Sequence, residues 1–226
     1  MSNQGKFLCL EGPDGSGKTT QLEMLRNHLI TRGVEVVTVR EPGGTFIGEG
    51  IRSLFKQNFG QTNPMAEVYM MLAAKTQLWH EVIQPALRRG AWVITDRYTP
   101  SLYAYQGGGH RVSRNVLDGL VQRGYAGGAF NAPHGTVLLA VSREEQARRL
   151  MARASTEELD KIDTAAADFR ERVYATYVSM GQRQEGYPVG VVHFPIDADR
   201  SPEEVHQLVL TAFDHDLPEF ASVEVH

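Results

Sequence analysis

Five short apolar runs punctuate the chain: KFLCLE at 6–11, EVVTV at 35–39, AWVIT at 91–95, TVLLAV at 136–141 and VGVVHF at 189–194. Each has strand length, and the stretches between them carry helical periodicity. Leu22, Leu25, Leu29 and Ile30 fall on one helical face after the first run. The segment 64–89 reads as one helix, with Pro64 near its start, Gly90 beyond its end and a kink expected at Pro85. In SPEEV, Ser201 is placed to cap a helix whose first turn holds Pro202 and Glu204. Strands alternating with helices predict an α/β fold, a parallel sheet covered on both faces by helices. Ligands in such folds collect beyond the carboxyl ends of the strands. Chemistry is therefore expected at Gly12–Thr19, Arg40–Gly44, Asp96–Arg97 and Asp197.

The first of these stretches is GPDGSGKT, which fits GxxxxGK[ST] and stands between a strand-like run and a helical one. Glycines let successive N–H groups turn inward around phosphate oxygens, and the following helix N-terminus adds its dipole. Gly12, Pro13, Asp14, Gly15, Ser16, Gly17, Lys18, Thr19 and Thr20 are thus the expected ATP cradle, with Lys18 reaching the terminal phosphates and Thr19 a Mg²⁺ ion. No [NT]KxD guanine signal is present. A motor or transport ATPase usually carries paired carboxylates after its second key strand, whereas here Asp96 is followed by Arg97. An arginine there activates water poorly but grips a phosphate with a planar fork, which favours a kinase acting on a phosphorylated acceptor.

Composition narrows the partners. A formal net charge of -4 with scattered Lys and Arg gives no basic field for nucleic acid. The single Cys9 lies within the first strand and is expected to be a small core residue. The eight histidines form no metal-binding spacing, and neither a signal peptide nor a long apolar span is evident. The expectation is a single domain over 1–226, soluble and cytoplasmic, with small nucleotides as partners, no nucleic acid and no membrane, and a tail over 216–226 that frays.

Four segments, EGPDGSGKTTQ at 11–21, REPGGTFIGEGIRSL at 40–54, DRYTPSLYAYQGGG at 96–109 and ELDKID at 158–163, resemble the bacterial-type thymidylate kinases. That resemblance runs from the first strand through PIDA at 195–198. It implies a three-layer P-loop NTPase fold with a five-stranded parallel sheet, a lid over about 148–165, a homodimer, and Mg²⁺-dependent phosphoryl transfer from ATP to dTMP. By the same resemblance Asp14 approaches the acceptor's 3′-hydroxyl, Arg97 clamps its 5′-phosphate, and Asp96 orients that region or the waters of Mg²⁺. Tyr105 packs beside the sugar and excludes a 2′-hydroxyl, while Ser101, Leu102 and Gln106 belong to the acceptor loop. Glu41 and Pro42, often joined by a cis peptide, shape the transfer region, and Arg52 is a further phosphate partner. Asp197 and Ala198 approach the adenine. Gly15 stands where some relatives carry a P-loop arginine, so the missing charge is expected from the lid. Arg149 and Arg153 are four apart and share a helical face there. Arg153 is assigned to the transition state and Arg149 to the adenine or phosphates.

The chain departs from the family pattern around the acceptor base. Met71 falls on the base-stacking phenylalanine, Lys75 on the base-reading arginine, and Leu102 on a position that is usually polar. Lys161 replaces an arginine in the lid. Lys75 has only donors, which suits the O4 of thymine or uracil and opposes the amino group of cytosine. Two alternatives to a dTMP kinase therefore stand beside it: a retuned kinase for dUMP or a 5-substituted dUMP, and a nucleotide-binding regulator without turnover.

Overall fold

The computed structural model describes residues 5–58, 62–154, 167–182 and 194–216. Five parallel strands, β1 (Phe7–Glu11), β2 (Val36–Arg40), β3 (Trp92–Asp96), β4 (Gly135–Ala140) and β5 (Phe194–Asp197), form one sheet in the order β2-β3-β1-β4-β5. β1 is central, with Leu10 in register with Asp96 on one side and Val137 on the other. This is the parallel α/β sheet expected from the alternating runs, with the five strands that the family resemblance implies. The fifth strand continues to Asp197, beyond the apolar run that predicts it, and 189–193 lie outside the described residues.

Alternation along β1 divides the core. Leu8 and Leu10 face α1 (Lys18–Ile30) and α9 (Pro202–Asp216), packing on Leu22, Leu25, Leu29, Val209 and Phe213. Phe7 and Cys9 face the other layer, beside Leu78, Ile83 and Tyr98. All five β1 residues are buried, as a central parallel strand requires. Ile30 departs from its expected face and is 43% exposed, because it stands one residue round the helix from the buried stripe of Leu22, Leu25 and Leu29. Ser201 and Glu204 form a reciprocal capping box at the start of α9.

The segment predicted as one helix divides into three. α3 (Pro64–Leu78) starts at Asn63, whose side chain accepts from the Met65 N–H at 2.9 Å. A π-helical turn, Trp79–Ile83, follows, and α4 (Gln84–Arg88) carries Pro85 in its first turn. Pro85 lacks an N–H and cannot continue the i to i−4 ladder, and the widened turn directly before it accommodates that mismatch. α2 (Phe46–Asn58) packs on α3. After β3 come α5 (Thr99–Leu102), a second π-helical turn (Tyr103–Gly109) and α6 (Arg114–Ala126). α7 (Arg143–Ala154) and α8 (Ala167–Gln182) complete the described elements. The rest of the expected lid, 155–165 with Lys161, lies outside the described residues, as does the tail beyond 216. Among the described residues, no helix is long and apolar enough to cross a membrane.

Candidate active site

The loop between β1 and α1 takes its shape from three glycines with φ in the left-handed range, Gly12 at 145°, Gly15 at 79° and Gly17 at 92°. A Cβ on Gly12 would stand 2.7 Å from the Leu139 carbonyl oxygen. Gly17 begins α1, so the loop delivers its N–H groups to a helix N-terminus. Lys18 is buried and donates to the carbonyls of Gly12, at 3.0 Å, and Pro13, at 2.9 Å. Burial, reinforced by Arg97, pushes its pKa down to about 8 against the opposing pull of Asp96 and Asp14. Ser16 Oγ is buried without a hydrogen-bond partner among the described residues, whereas Thr19 and Thr20 are exposed on the first turn of α1.

Register carries β3 to the same edge. Thr19 Oγ1 donates to Asp96 Oδ2 at 3.3 Å, while Asp96 Oδ1 is buried with no hydrogen-bond partner among the described residues. A hydroxyl beside a carboxylate with an unused oxygen is a hard-oxygen donor set of the kind Mg²⁺ takes together with phosphate oxygens. Among the described residues, no cluster of three or more His, Cys, Asp or Glu offers a protein-only metal site.

Arg97 turns off the end of β3 with φ of 75°, which swings its side chain back over the loop. One guanidinium nitrogen, Nη1, donates to Gly12 O at 3.1 Å, Ser101 Oγ at 3.2 Å and Tyr177 Oη at 2.9 Å. The other, Nη2, donates to Asp14 Oδ1, whose second oxygen accepts from Tyr105 Oη at 2.7 Å. Burial alone would raise the Asp14 pKa, but Arg97, Lys18 and the Tyr105 hydroxyl outweigh it and hold it at about 2. Asp14, Arg97, Ser101 and Tyr105, drawn from separate parts of the sequence, thus meet in one hydrogen-bonded group.

Two residues that the motifs do not single out support this group. Glu11, fully buried at the end of β1, accepts from the Tyr98 N–H at 2.6 Å and from Ser101 Oγ at 2.8 Å. Tyr177 of α8 donates at 3.1 Å to the same oxygen, Oε2, that accepts from Ser101. The signal for Glu11 was an acidic residue closing an otherwise apolar central strand, which must find donors once buried. Tyr177 carried no comparable signal.

On the β2 side, the Glu41–Pro42 peptide is cis and Arg52 donates to the Pro42 carbonyl at 3.2 Å. Lys75 does not present its ammonium to an open cleft. Its side chain is 1% exposed, it pairs with Glu41 Oε2, and Nζ lies 3.4 Å from the centroid of the Tyr98 ring. Burial pushes Glu41 up to about 7 and Lys75 down, each partly offset by the other. Leu102 is likewise fully buried, and it shares one apolar cluster with Met71, which is 8% exposed. At the three positions where contact with the acceptor base is expected, the structure thus places an ion pair at Lys75 and apolar packing at Met71 and Leu102. Gln106 is buried and donates to Glu67 Oε2 at 3.3 Å.

A cavity of about 610 Å³ opens between this group and α7–α8, lined among others by Asp14, Tyr105, Gln146, Arg153 and Phe169. Gln146 ties α7 to the loop by donating to the Asp14 carbonyl at 2.8 Å. Arg149 donates to Gly15 O at 3.3 Å and Ala198 O at 2.7 Å, bridging the loop to the segment after β5. Asp197 accepts from its neighbours Asp199 N–H and Arg200. Arg153, one turn beyond Arg149, borders the cavity.

The sequence is similar to those of known proteins. The family model described as thymidylate kinase matches residues 10–209. The thymidylate kinase of Pelotomaculum thermopropionicum is 41% identical over 219 residues, 96% of this chain and 96% of its own length. That of Methylococcus capsulatus is 37% identical, covering 93% of this chain and 95% of its own. That of Nitrosomonas europaea is 40% identical, covering 82% of each.

Proposed function

The chain belongs to the thymidylate kinase family, and from that premise we propose how its residues act. It transfers the γ-phosphoryl group of ATP to dTMP, giving dTDP and ADP. An oxygen of the acceptor phosphate attacks the γ-phosphorus, and the bond to the β-phosphate oxygen breaks. The attacking oxygen is already anionic, so no strong general base is needed; the difficulty is bringing two polyanions together.

The observation that carries the assignment of roles is the Arg97 fork, fixed by Gly12, Ser101 and Tyr177 on one side and shared with Asp14 on the other. Nη2 is the donor for the acceptor's 5′-phosphate, and Asp14 turns to the sugar 3′-hydroxyl beside it. Tyr105, linked to Asp14, stands where a 2′-hydroxyl would have to fit. Lys18 binds the terminal phosphates of ATP, Arg149 and the Asp197–Ala198 segment face the adenine side, and Arg153 supplies charge to the transferring group. Thr19 and Asp96 hold Mg²⁺, which neutralises phosphate charge when bound. One domain carries both nucleotides, and the cytoplasm, which holds both substrates, is the proposed location.

A homodimer is part of the same reading. Phe46 is 93% exposed, Ile47 47% and Leu54 48% along α2, and Tyr69 of the adjoining α3 is 58% exposed. A second copy of this face is the proposed cover, and Phe46→Glu should convert a dimer to monomers in sedimentation velocity.

The assay is ADP release with ATP, Mg²⁺ and, in turn, dTMP, dUMP, 5-hydroxymethyl-dUMP, dCMP, dGMP and ribo-TMP. A clear preference for dTMP is expected. Faster turnover of another acceptor would overturn the substrate assignment, and no turnover of any would overturn the enzyme.

A further inference from the structure

The acceptor loop ends in a structure that the phosphate chemistry does not explain. Tyr103–Gly109 is a π-helical turn, closed by His110 N–H to Tyr105 O at 2.9 Å and followed by Val112 N–H to Gln106 O at 2.9 Å. Its last carbonyls face no donor within the helix, as at any helix C-terminus. Arg172 of α8 meets them. Nε donates to Gly109 O at 3.1 Å and Gly108 O at 3.3 Å, and Nη2 donates to Gly109 O at 2.8 Å. Nη1 is held from behind by Asp168 at 2.6 Å. A cation at the negative end of a helix is favourable in its own right.

The packing leaves no slack. A Cβ on Gly109 would fall 2.3 Å from the Phe169 ring, and one on Gly108 2.0 Å from Thr176 Oγ1. Phe169 also meets His110, with ring centroids 4.8 Å apart, and Tyr105 at 6.4 Å. The turn therefore lies on α8 through backbone and aromatic contacts along more than two helical turns. Tyr105, four residues before Gly109, is the residue whose hydroxyl engages Asp14.

We propose that Arg172 is a positioning residue for the acceptor. By capping the Gly108 and Gly109 carbonyls it fixes the π-helical turn and so the Tyr105 ring against the sugar, setting acceptor affinity and the exclusion of a 2′-hydroxyl without touching substrate. The role of Tyr105 rests on the kinase reading above; the contact between Arg172 and the turn does not. Lysine would be a poor substitute, because a point charge cannot fork between two carbonyls.

The test compares Arg172→Ala and Arg172→Lys with the wild type in two ways. In steady-state kinetics, Arg172→Ala should raise KM for dTMP about tenfold, the equivalent of one charge-assisted hydrogen bond, and leave KM for ATP within about twofold. The preference for dTMP over ribo-TMP should fall, and Arg172→Lys should lie between. Combined with Tyr105→Phe, the effects should be less than additive, since both act on one ring. In hydrogen exchange on the free protein, the amides of His110 and Val112 should exchange faster in Arg172→Ala while those of β1 and β3 stay protected. Unchanged amide exchange would overturn the capping role even if no acceptor were turned over. Faster exchange with unchanged KM and sugar preference would overturn positioning and leave a structural cap. Should Arg172→Ala not fold, Arg172→Lys, which keeps the charge and the Asp168 partner, decides by the same readouts.

Discussion

Lys75→Met separates two roles for one side chain. In the structure, Lys75 and Glu41 are 1% and 2% exposed, paired with each other, and the ammonium rests over the Tyr98 ring. Removing the cation leaves Glu41 buried beside an apolar side chain, and its Oε1 already has no partner among the described residues. Breaking a buried pair by deleting one partner costs about 3–5 kcal/mol. For a protein of this size each kcal/mol moves Tm by about 2–4 °C, so a fall of roughly 6–20 °C is expected. Removing both charges with Glu41→Met and Lys75→Met should recover most of that loss, because replacing a whole buried pair by apolar groups is often close to neutral. Urea denaturation of the four proteins gives the coupling energy directly. KM for dTMP should change far less than stability in Lys75→Met. A variant that loses less than about 1 kcal/mol yet needs tenfold more dTMP would refute the reasoning and return Lys75 to the acceptor base.

Three further variants test the phosphate site and the packing of α8 on the acceptor loop. Lys18 is held at about 8, below its ordinary 10.5, so the unfolded chain binds a proton that the folded one releases between those values; Lys18 therefore costs stability at pH 7, and the cost fades as pH rises through that window. ATP favours the charged ammonium, so calorimetry at pH 8.5 in two buffers should register proton uptake on binding, and Lys18→Met should melt above the wild type at pH 7. Asp96→Asn should raise the Mg²⁺ concentration for half-maximal rate at least about tenfold, the scale of one charged contact, with little change in Mg²⁺-free ATP affinity measured by fluorescence titration. Gly109→Ala drives a methyl into Phe169 and should cost about 1–3 kcal/mol in urea, with Phe169→Leu restoring part of it; full stability in the single variant would contradict the packing of α8 on the turn.

How far the residues could be read in advance depended on whether their roles are local. The phosphate loop was legible because its glycines need positive φ and its strand and helix adjoin it in sequence; nothing distant decides its shape. Arg97 was legible as a phosphate grip, but its partners Tyr177 and Asp14 stand 80 and 83 residues away, and only the sheet order brings them together. The 64–89 segment shows the limit of periodicity. Proline signals an interruption, yet the π-helical turn that precedes it, with Trp79 and Ile83 both buried, has no signature in the periodicity. Met71 and Lys75 show it more sharply. Their spacing of four places both on one face of α3, and Glu67, four residues earlier, falls there too. The face is fixed by the helix, but its use is not. The cis turn after β2 brings Glu41 against Lys75, and the π-helical turn after α5 brings Gln106 and His110 against Glu67. A carboxylate arriving from the turn after β2 thus gives a residue that looks like a base reader an ion-pair partner. No pattern within the helix could carry that information, because the deciding charge belongs to a loop whose approach is set by sheet order.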